Sequence, residues 1–336
     1  MDWSSGFSAR YYISVVDKQT WRDIERIEIT GGTVKKTYSD LRESADINCV
    51  DYSSDTEQLI RVWLDARQSG DSSHTPLFTG LATSPGRDIN GRLETNTLQC
   101  YSVLKIAQDI LLPRGWYAPT EANTGALIRN LLSVTGAPIY ISENSPELKT
   151  AIIAESGENN LSMSEKILDA MGNWRLRLNG RGEIFIEPTT DESVLTFGAL
   201  DYDMLETSLK VTYDWYNAPN VYRVILDNTS AIARDDSPYS PLSTVNRGRE
   251  IWVEETNCYL NENETLADYA NRRLKEAQYV STNISYTRRL DPDVYIGDVI
   301  TITYPEQNIF GQYIVTDQSI ELTHGARTSE EVIKYE

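Results

Sequence analysis

Histidine and cysteine are scarce: 336 residues contain two of the first and three of the second. His74, in Ser72-Ser73-His74-Thr75-Pro76, and His324, before Gly325, both sit in turn-like sequence and read as solvated turn residues. That leaves little material for acid–base chemistry near neutral pH. Cys49, Cys100 and Cys258 are odd in number and far apart. They match no zinc spacing and no disulfide framework, so they read as reduced core thiols of a chain made in a reducing cytoplasm. No apolar run approaches the ~18–20 residues that span a bilayer, so membrane insertion is not expected. Residues 1–5 show neither the basic nor the apolar region of a secretory signal. Basic residues are also short, 31 Lys and Arg against 50 Asp and Glu, for a net charge of −19. Proteins that coat nucleic acid or anionic membranes carry the opposite balance, and both classes are excluded. There is no His-Glu-x-x-His, no nucleophile elbow and no phosphate-cradling glycine loop.

What the chain does have is aromatic surface. Aromatics make up 10% of it, including 20 Tyr and 7 Trp, too many for a disordered polymer. Such residues pack sheet faces, line protein interfaces or stack on sugars, and composition leaves all three readings open. The length suits two or three domains. Residues 11–16, 24–29, 46–51, 59–64 and 77–82 are short runs rich in Ile, Val, Tyr and Trp, separated by polar turns. They predict strands of a sandwich or barrel rather than a doubly wound sheet.

The texture then changes. Val103, Leu104, Ala107, Ile110 and Leu111 share a helical face that Ser102 can cap. Thr124 can cap a second helix, and Ser162 with Glu165 fits a capping box for a third, with Met163, Ile167, Leu168 and Met171 inward. Strands at 174–178 and 183–187 flank Asn179-Gly180-Arg181-Gly182, a hairpin signal. Strands return at 209–213, 221–226 and 251–255, and the polar stretch 227–248 between the last two reads as a mobile loop. Asn263 can cap a helix with Leu266, Ala270, Leu274 and Ala277 inward; strands at 283–289, 299–304, 312–316 and 320–323 follow. A faint echo links Leu77-Phe78-Thr79-Gly80, leading to Tyr101, with Ile309-Phe310-Gly311-Gln312, leading to Tyr335.

Acidic pairs are frequent: Asp201/Asp203, Asp235/Asp236, Glu254/Glu255 and Asp291/Asp293. A glycosidase needs two carboxylates across one bond, but a chain with 50 acids produces such pairs routinely. Asp291 to Asp298 loosely resembles a calcium loop, without the bidentate Glu at position twelve, and reads as a turn feeding a strand. No residue is therefore a candidate for catalysis, cofactor binding or metal ligation, and no cofactor is expected.

Several stretches resemble the baseplate hub family of contractile phage tails and tail-like particles. They are Leu77-Phe78-Thr79-Gly80-Leu81-Ala82 with the run from Tyr101 to Asp109; Ser162 to Gly172 with Trp174-Arg175-Leu176-Arg177; and Asp291 to Asp298 with Val299-Ile300-Thr301-Ile302, Gly311-Gln312-Tyr313-Ile314-Val315 and Glu330-Glu331-Val332. The likeness spans nearly the whole chain and rests on strand-and-turn signatures. It implies a mainly β protein with an α/β insert: two related β-barrel domains, 1–112 and 201–336, joined by a small α/β domain, 113–200. The second would carry a long loop near 227–248 and a helix near 264–279.

The resemblance implies no catalytic residues. It implies a homotrimer whose six barrels give pseudo-sixfold symmetry, adapting a hexameric tail tube to a threefold central spike in the virion tail baseplate, assembled in the host cytoplasm. Implied partners are the tail tube or tube-initiator protein, the tape-measure protein, the spike and baseplate wedge proteins, with DNA only passing through the channel. An acidic channel wall would repel that DNA. A tail-associated cell-wall hydrolase and a carbohydrate-recognising receptor-binding tail protein are the alternatives.

Overall fold

The computed structural model describes all residues except 39–40, 51, 53, 55, 91–92, 199–200, 202–204, 257, 261–263, 280–281 and 336. The first six strands are β1 (Ser8–Val16), β2 (Asp23–Thr37), β3 (Glu43–Cys49), β4 (Gln58–Gln68), β5 (Asp71–Asn90) and β6 (Leu93–Ser102). Their pairing runs β1-β4-β5-β6-β3-β2, and β2 pairs back onto β1. Alternation dictates the packing: along β3, Glu43, Ala45, Ile47 and Cys49 are buried while Asp46 and Asn48 face out. The enclosed core includes Ile13, Val34, Ile47, Ile60, Phe78 and Leu98. Gly32, at φ 150°, lets β2 pass where a Cβ would strike the Asp46 carbonyl.

The middle of the chain folds as α1 (Leu104–Asp109), β7 (Tyr117–Ala118), α2 (Thr124–Leu132), β8 (Ile139–Ile141), β9 (Ile152–Ile153), α3 (Asn160–Ala170), β10 (Trp174–Leu178) and β11 (Ile184–Pro188). Its core joins helix faces to Leu176, Leu178, Ile184 and Ile186 and reaches Val16, Leu59 and Leu81 on the first six strands. The caps differ from expectation. Asn123 rather than Thr124 accepts the Ala126 N–H at 2.8 Å, and the capping box of α3 is Asn159 with Ser162, one turn earlier than Ser162 with Glu165. The β10–β11 turn seats on the first strands: Thr79 Oγ1 donates to the Gly180 carbonyl at 2.8 Å, and Trp21 Nε1 to that of Arg181 at 3.0 Å. A Cβ on Gly180 would fall on the Pro76 carbonyl.

The remainder comprises β12 (Ser193–Gly198), β13 (Leu205–Tyr213), β14 (Val221–Leu226), β15 (Thr229–Arg234), α4 (Thr244–Arg247), β16 (Trp252–Thr256), α5 (Leu266–Tyr279), β17 (Thr282–Arg289), β18 (Val299–Tyr304), β19 (Ile309–Glu321) and β20 (Arg327–Lys334). Six of these pair in the order β12-β18-β19-β20-β17-β13. Numbering each set by its own chain order, both halves read 1-4-5-6-3-2. Each fifth strand carries a register shift at a threonine, Thr83 in β5 and Thr316 in β19. The halves differ at the first strand, since β12 runs parallel to β18 whereas β1 is antiparallel to β4. They join into one sheet where β2 pairs β19.

Between β13 and β17 lies a three-stranded unit, β15-β14-β16, covered by α5, with a core that includes Tyr222, Val224, Tyr269, Ala270 and Leu274. The stretch 227–248, expected to be a mobile loop, contains β15 and α4. The inward residues of β15 are Ala231 and Ala233, too small to give a hydrophobic signal, and Ser243 caps α4 by accepting from Asn246 N at 3.2 Å. The helix near 264–279 forms as α5, capped by Thr265 with Asp268; the proposed cap, Asn263, lies outside the described residues. The strands expected at 312–316 and 320–323 are one, β19. Strand β12 falls inside 113–200 yet pairs with β18. No described helix is long and apolar enough to cross a membrane.

Candidate functional site

The residues singled out in the sequence scatter rather than converge. His74 lies within β5, not in a turn; its ring stacks on Trp63 at 4.0 Å, and Nδ1 lies 2.6 Å from Asp65. His324 occupies a turn, with Nδ1 3.2 Å from the Ala9 carbonyl. All three cysteines are buried and free, and burial pushes the Cys49 and Cys258 thiols up to about 11. Glu254 and Glu255 point to opposite faces of β16. Glu254 pairs with Arg223, while Glu255 accepts from Tyr222, Tyr269 and Arg273. Asp235 accepts from Ser240 Oγ, and Asp236 pairs with Arg234. Asp291 caps its own turn by accepting from Asp293 N, and Asp298, 3% exposed, binds Arg175 at 2.8 Å. Asp203 lies outside the described residues. Among the described residues no His/Cys/Asp/Glu group could hold a metal ion.

What converges instead is a surface. The sheet is continuous through β6-β3-β2-β19-β20-β17-β13, and directly paired residues share a face. One cross-strand row reads Tyr101, Ser44, Lys35, Ser319, Ser329, Thr287. A second reads Thr37, Asp317, Glu331, Ser285, Lys210. A third contains Gln99, Asp46, Thr33 and Glu321. This outward face is made of hydroxyls, amides and charges of both signs. It is concave between Lys35, Lys210, Ser285, Asp317 and Glu331, around a volume of about 460 Å³. The sequence marked β17 and most of β19 as strands, but gave no signal for β6 or for residues 33–37 of β2. Only the β2–β19 junction makes one surface of these strands.

Beneath this face the second half buries charge. Arg288 and Glu330 pair at 2.7 Å with both side chains fully buried, and Gln318 and Tyr286 also donate to Glu330. Burial opposes the Glu330 charge, but Arg288 and these donors hold its carboxyl below the usual range. A second junction locks three parts together. Arg175 and Arg177 of β10 bind Glu187 of β11, Arg175 reaches Asp298 before β18, and Arg177 lies over the Tyr295 ring at 4.6 Å. Lys36 of β2 faces Glu43 of β3 at 3.8 Å in the same place. Burial pushes Glu43 up to about 7 against the pull of Lys36 and Arg177. The enclosed space is about 20 Å³, too small for a substrate. A separate groove of about 280 Å³, on the β14–β16 unit, is lined by Trp215, Tyr216, Pro241, Arg247 and Arg249.

No family model matches the sequence, and no curated protein matches it. Solved structures do. A tail protein from Neisseria meningitidis is similar over 98% of this chain and 97% of its own, at TM-score 0.70 and 12% identity. The 43 kDa tail protein of prophage MuSo2 from Shewanella oneidensis covers 97% and 98%, at TM-score 0.69 and 12% identity. An E. coli component of the type VI secretion system, itself described as similar to bacteriophage tail proteins, covers 92% of this chain and 74% of its own, at TM-score 0.54 and 9% identity. At these identities the likeness establishes the fold: a mainly β chain with the architecture of tail proteins.

Proposed function

We propose that the chain is the structural baseplate hub of a phage tail or tail-like particle, acting without turnover. Its two six-strand sets are sister barrels joined by the α/β insert, and three copies form a pseudo-sixfold ring. The ring adapts a hexameric tail tube, or its initiator protein, to a threefold central spike. Tape-measure and wedge proteins contact it, DNA passes through it, and it resides in the virion baseplate after assembly in the host cytoplasm. The observation that carries this reading is the strand order 1-4-5-6-3-2, present twice with the same bulge. A chain that contains its own repeat is suited to meeting sixfold symmetry on one side and threefold on the other. The tail and secretion-system origins of the structural neighbours support the same reading.

The continuous polar face is the part best suited to line the channel. On it Asp46, Asp317, Glu321 and Glu331 are set among Lys35, Lys210, Arg289 and Arg327, so its charge nearly balances. The acidity expected of the channel therefore does not concentrate on this face. Hydroxyls and interspersed opposite charges offer phosphates no basic track, which serves passage equally well. Mass in solution or in an assembled particle tests the reading. Three copies per ring is the expected result; a closed dimer or tetramer overturns it. One observation favours a second reading, a carbohydrate-recognising tail protein: the Trp215–Tyr216 groove. Silence on a glycan array removes it.

A further inference from the structure

The hub reading leaves open how copies join. Resting on that reading, we propose that β13 of one copy extends the sheet of the next by pairing antiparallel with the 83–90 segment of that copy's β5. The register is the one β2 and β19 already use within one chain.

Inside the chain, Thr37, Lys36, Lys35, Val34 and Thr33 of β2 pair with Asp317, Gln318, Ser319, Ile320 and Glu321 of β19. This segment of β19 lies beyond the bulge at Thr316, where pairing with β18 has ended and one edge is open for β2. The ladders align the halves residue by residue. Ala82 and Val315 precede the two bulges, and counting onward sets Gly86 with Ser319 and Arg87 with Ile320. Through β3–β6 and β17–β20, Val34 corresponds to Val211 and Lys35 to Thr212.

Among the described residues, no strand pairs along the outer edge of either strand equivalent to the internal junction. Pairing of β5 with β4 ends at Ala82, so among the described residues the strand partner of 83–90 is β6. Strand β13 pairs only with β17 among the described residues. Burial records the missing neighbour on each side. Val34, under the internal junction, is 0% exposed, while its counterpart Val211 is only partly buried. Leu322, one residue past β19, is 3% exposed in the core of the first six strands; its counterpart Ile89 is 66% exposed. Bare strand edges flanked by apolar side chains are normally covered in the working assembly.

The copied register places Thr212 opposite Gly86 and Val211 opposite Arg87. Pro85 falls where Gln318 stands. The Leu322 N–H donates to the Gly32 carbonyl at 2.9 Å, and ladder alternation then directs the Gln318 N–H toward β2. Pro85 therefore points its missing donor at the open edge. The ladder between copies is one bond shorter than the internal one, and the edge is blunted against stray pairing. The two surfaces differ, so contact is head to tail. If each step between copies repeats the step within a chain, six equal steps close on three chains.

The test uses cysteines at the outward-facing, non-hydrogen-bonded pair, where Cα atoms about 4.5 Å apart suit a disulfide. Gly86→Cys chains are mixed with Thr212→Cys chains at millimolar concentration in oxidising glutathione. The native thiols are buried, so the unaltered chain serves as the control. The expected result is a covalent dimer in the mixture, none in either variant alone, and a ladder ending at three in the double variant. Should Gly86→Cys fail to fold, Arg87→Cys with Val211→Cys repeats the test at the adjacent pair. Dimers from a single variant overturn the head-to-tail contact. A trimer by mass without cross-links overturns the strand pairing and leaves the hub standing. Cross-links running past three chains uphold the pairing and overturn the ring. Monomer throughout, without cross-links, overturns the strand pairing, and the hub is then decided by its copy number in the assembled particle.

Discussion

The two six-strand sets share a strand order and differ in what fills them. In the first, Ile47 of β3 pairs with Leu98 of β6, and both are buried apolar residues. In the second, the corresponding pair is Tyr286 of β17 with Glu330 of β20, and the position matching Cys49 is Arg288. One set packs hydrocarbon where the other packs a fully buried ion pair and its donors. Strand order is held by backbone bonds and connection lengths, which do not sense side-chain polarity. The interior can therefore be exchanged provided each buried polar group finds a partner. The sets also differ at their edges: the first closes β2 onto β1, whereas the second shows no β12–β13 pairing among the described residues.

Breaking the ion pair is expected to have the largest effect. Arg288→Met leaves Glu330 buried without its cation and should cost about 3–5 kcal/mol in denaturant unfolding. Adding Glu330→Leu removes the unpaired charge and should recover part of that loss, the remainder reflecting the Tyr286 and Gln318 donors left without their acceptor. If the double variant is as unstable as the single, the two interiors are not interchangeable.

A smaller effect concerns the junction that ties the halves together. Glu43 has its folded pKa raised to about 7 by burial. Between its ordinary value and about 7 the folded chain holds the proton more tightly than the unfolded one, so stability falls as pH rises through that window. From pH 5 to pH 8 the loss attributable to Glu43 should be on the order of 2 kcal/mol. Glu43→Gln should flatten that slope in melts across pH, and an unchanged slope would assign it to another group. The smallest difference sharpens the edge comparison. Val34→Ala, in a closed site, should cost about 2 kcal/mol, and Val211→Ala less than about 1 kcal/mol, in dilute monomer. Assembly should narrow that gap.

Much of the strand content was legible because β1 and β4 are compact runs of Ile, Val, Tyr, Leu and Trp, and apolar residues alternate with polar ones in β10 and β18. Where sequence reasoning failed, the signal was physically weak. Strand β15 turns alanines inward, and β12 is a short parallel strand with Val194 exposed. The echo between Leu77-Phe78-Thr79-Gly80 and Ile309-Phe310-Gly311-Gln312 does fall on the fifth strand of both sets. The ladders offset it by one residue, matching Gly80 with Tyr313. The polar face was invisible, because its rows draw on seven strands far apart in the chain.

Composition and periodicity alone determined that this is a β-rich chain with three thiols, an excess of acid and an α/β segment in its middle, since these follow from local preference and residue chemistry. The tertiary structure decided that the strand order occurs twice, that Arg288 meets Glu330, and that acids adjacent in sequence, such as Glu254 and Glu255, part to opposite faces. Pairing between distant strands is fixed by which edges and cores fit together, and no local window of sequence contains that information.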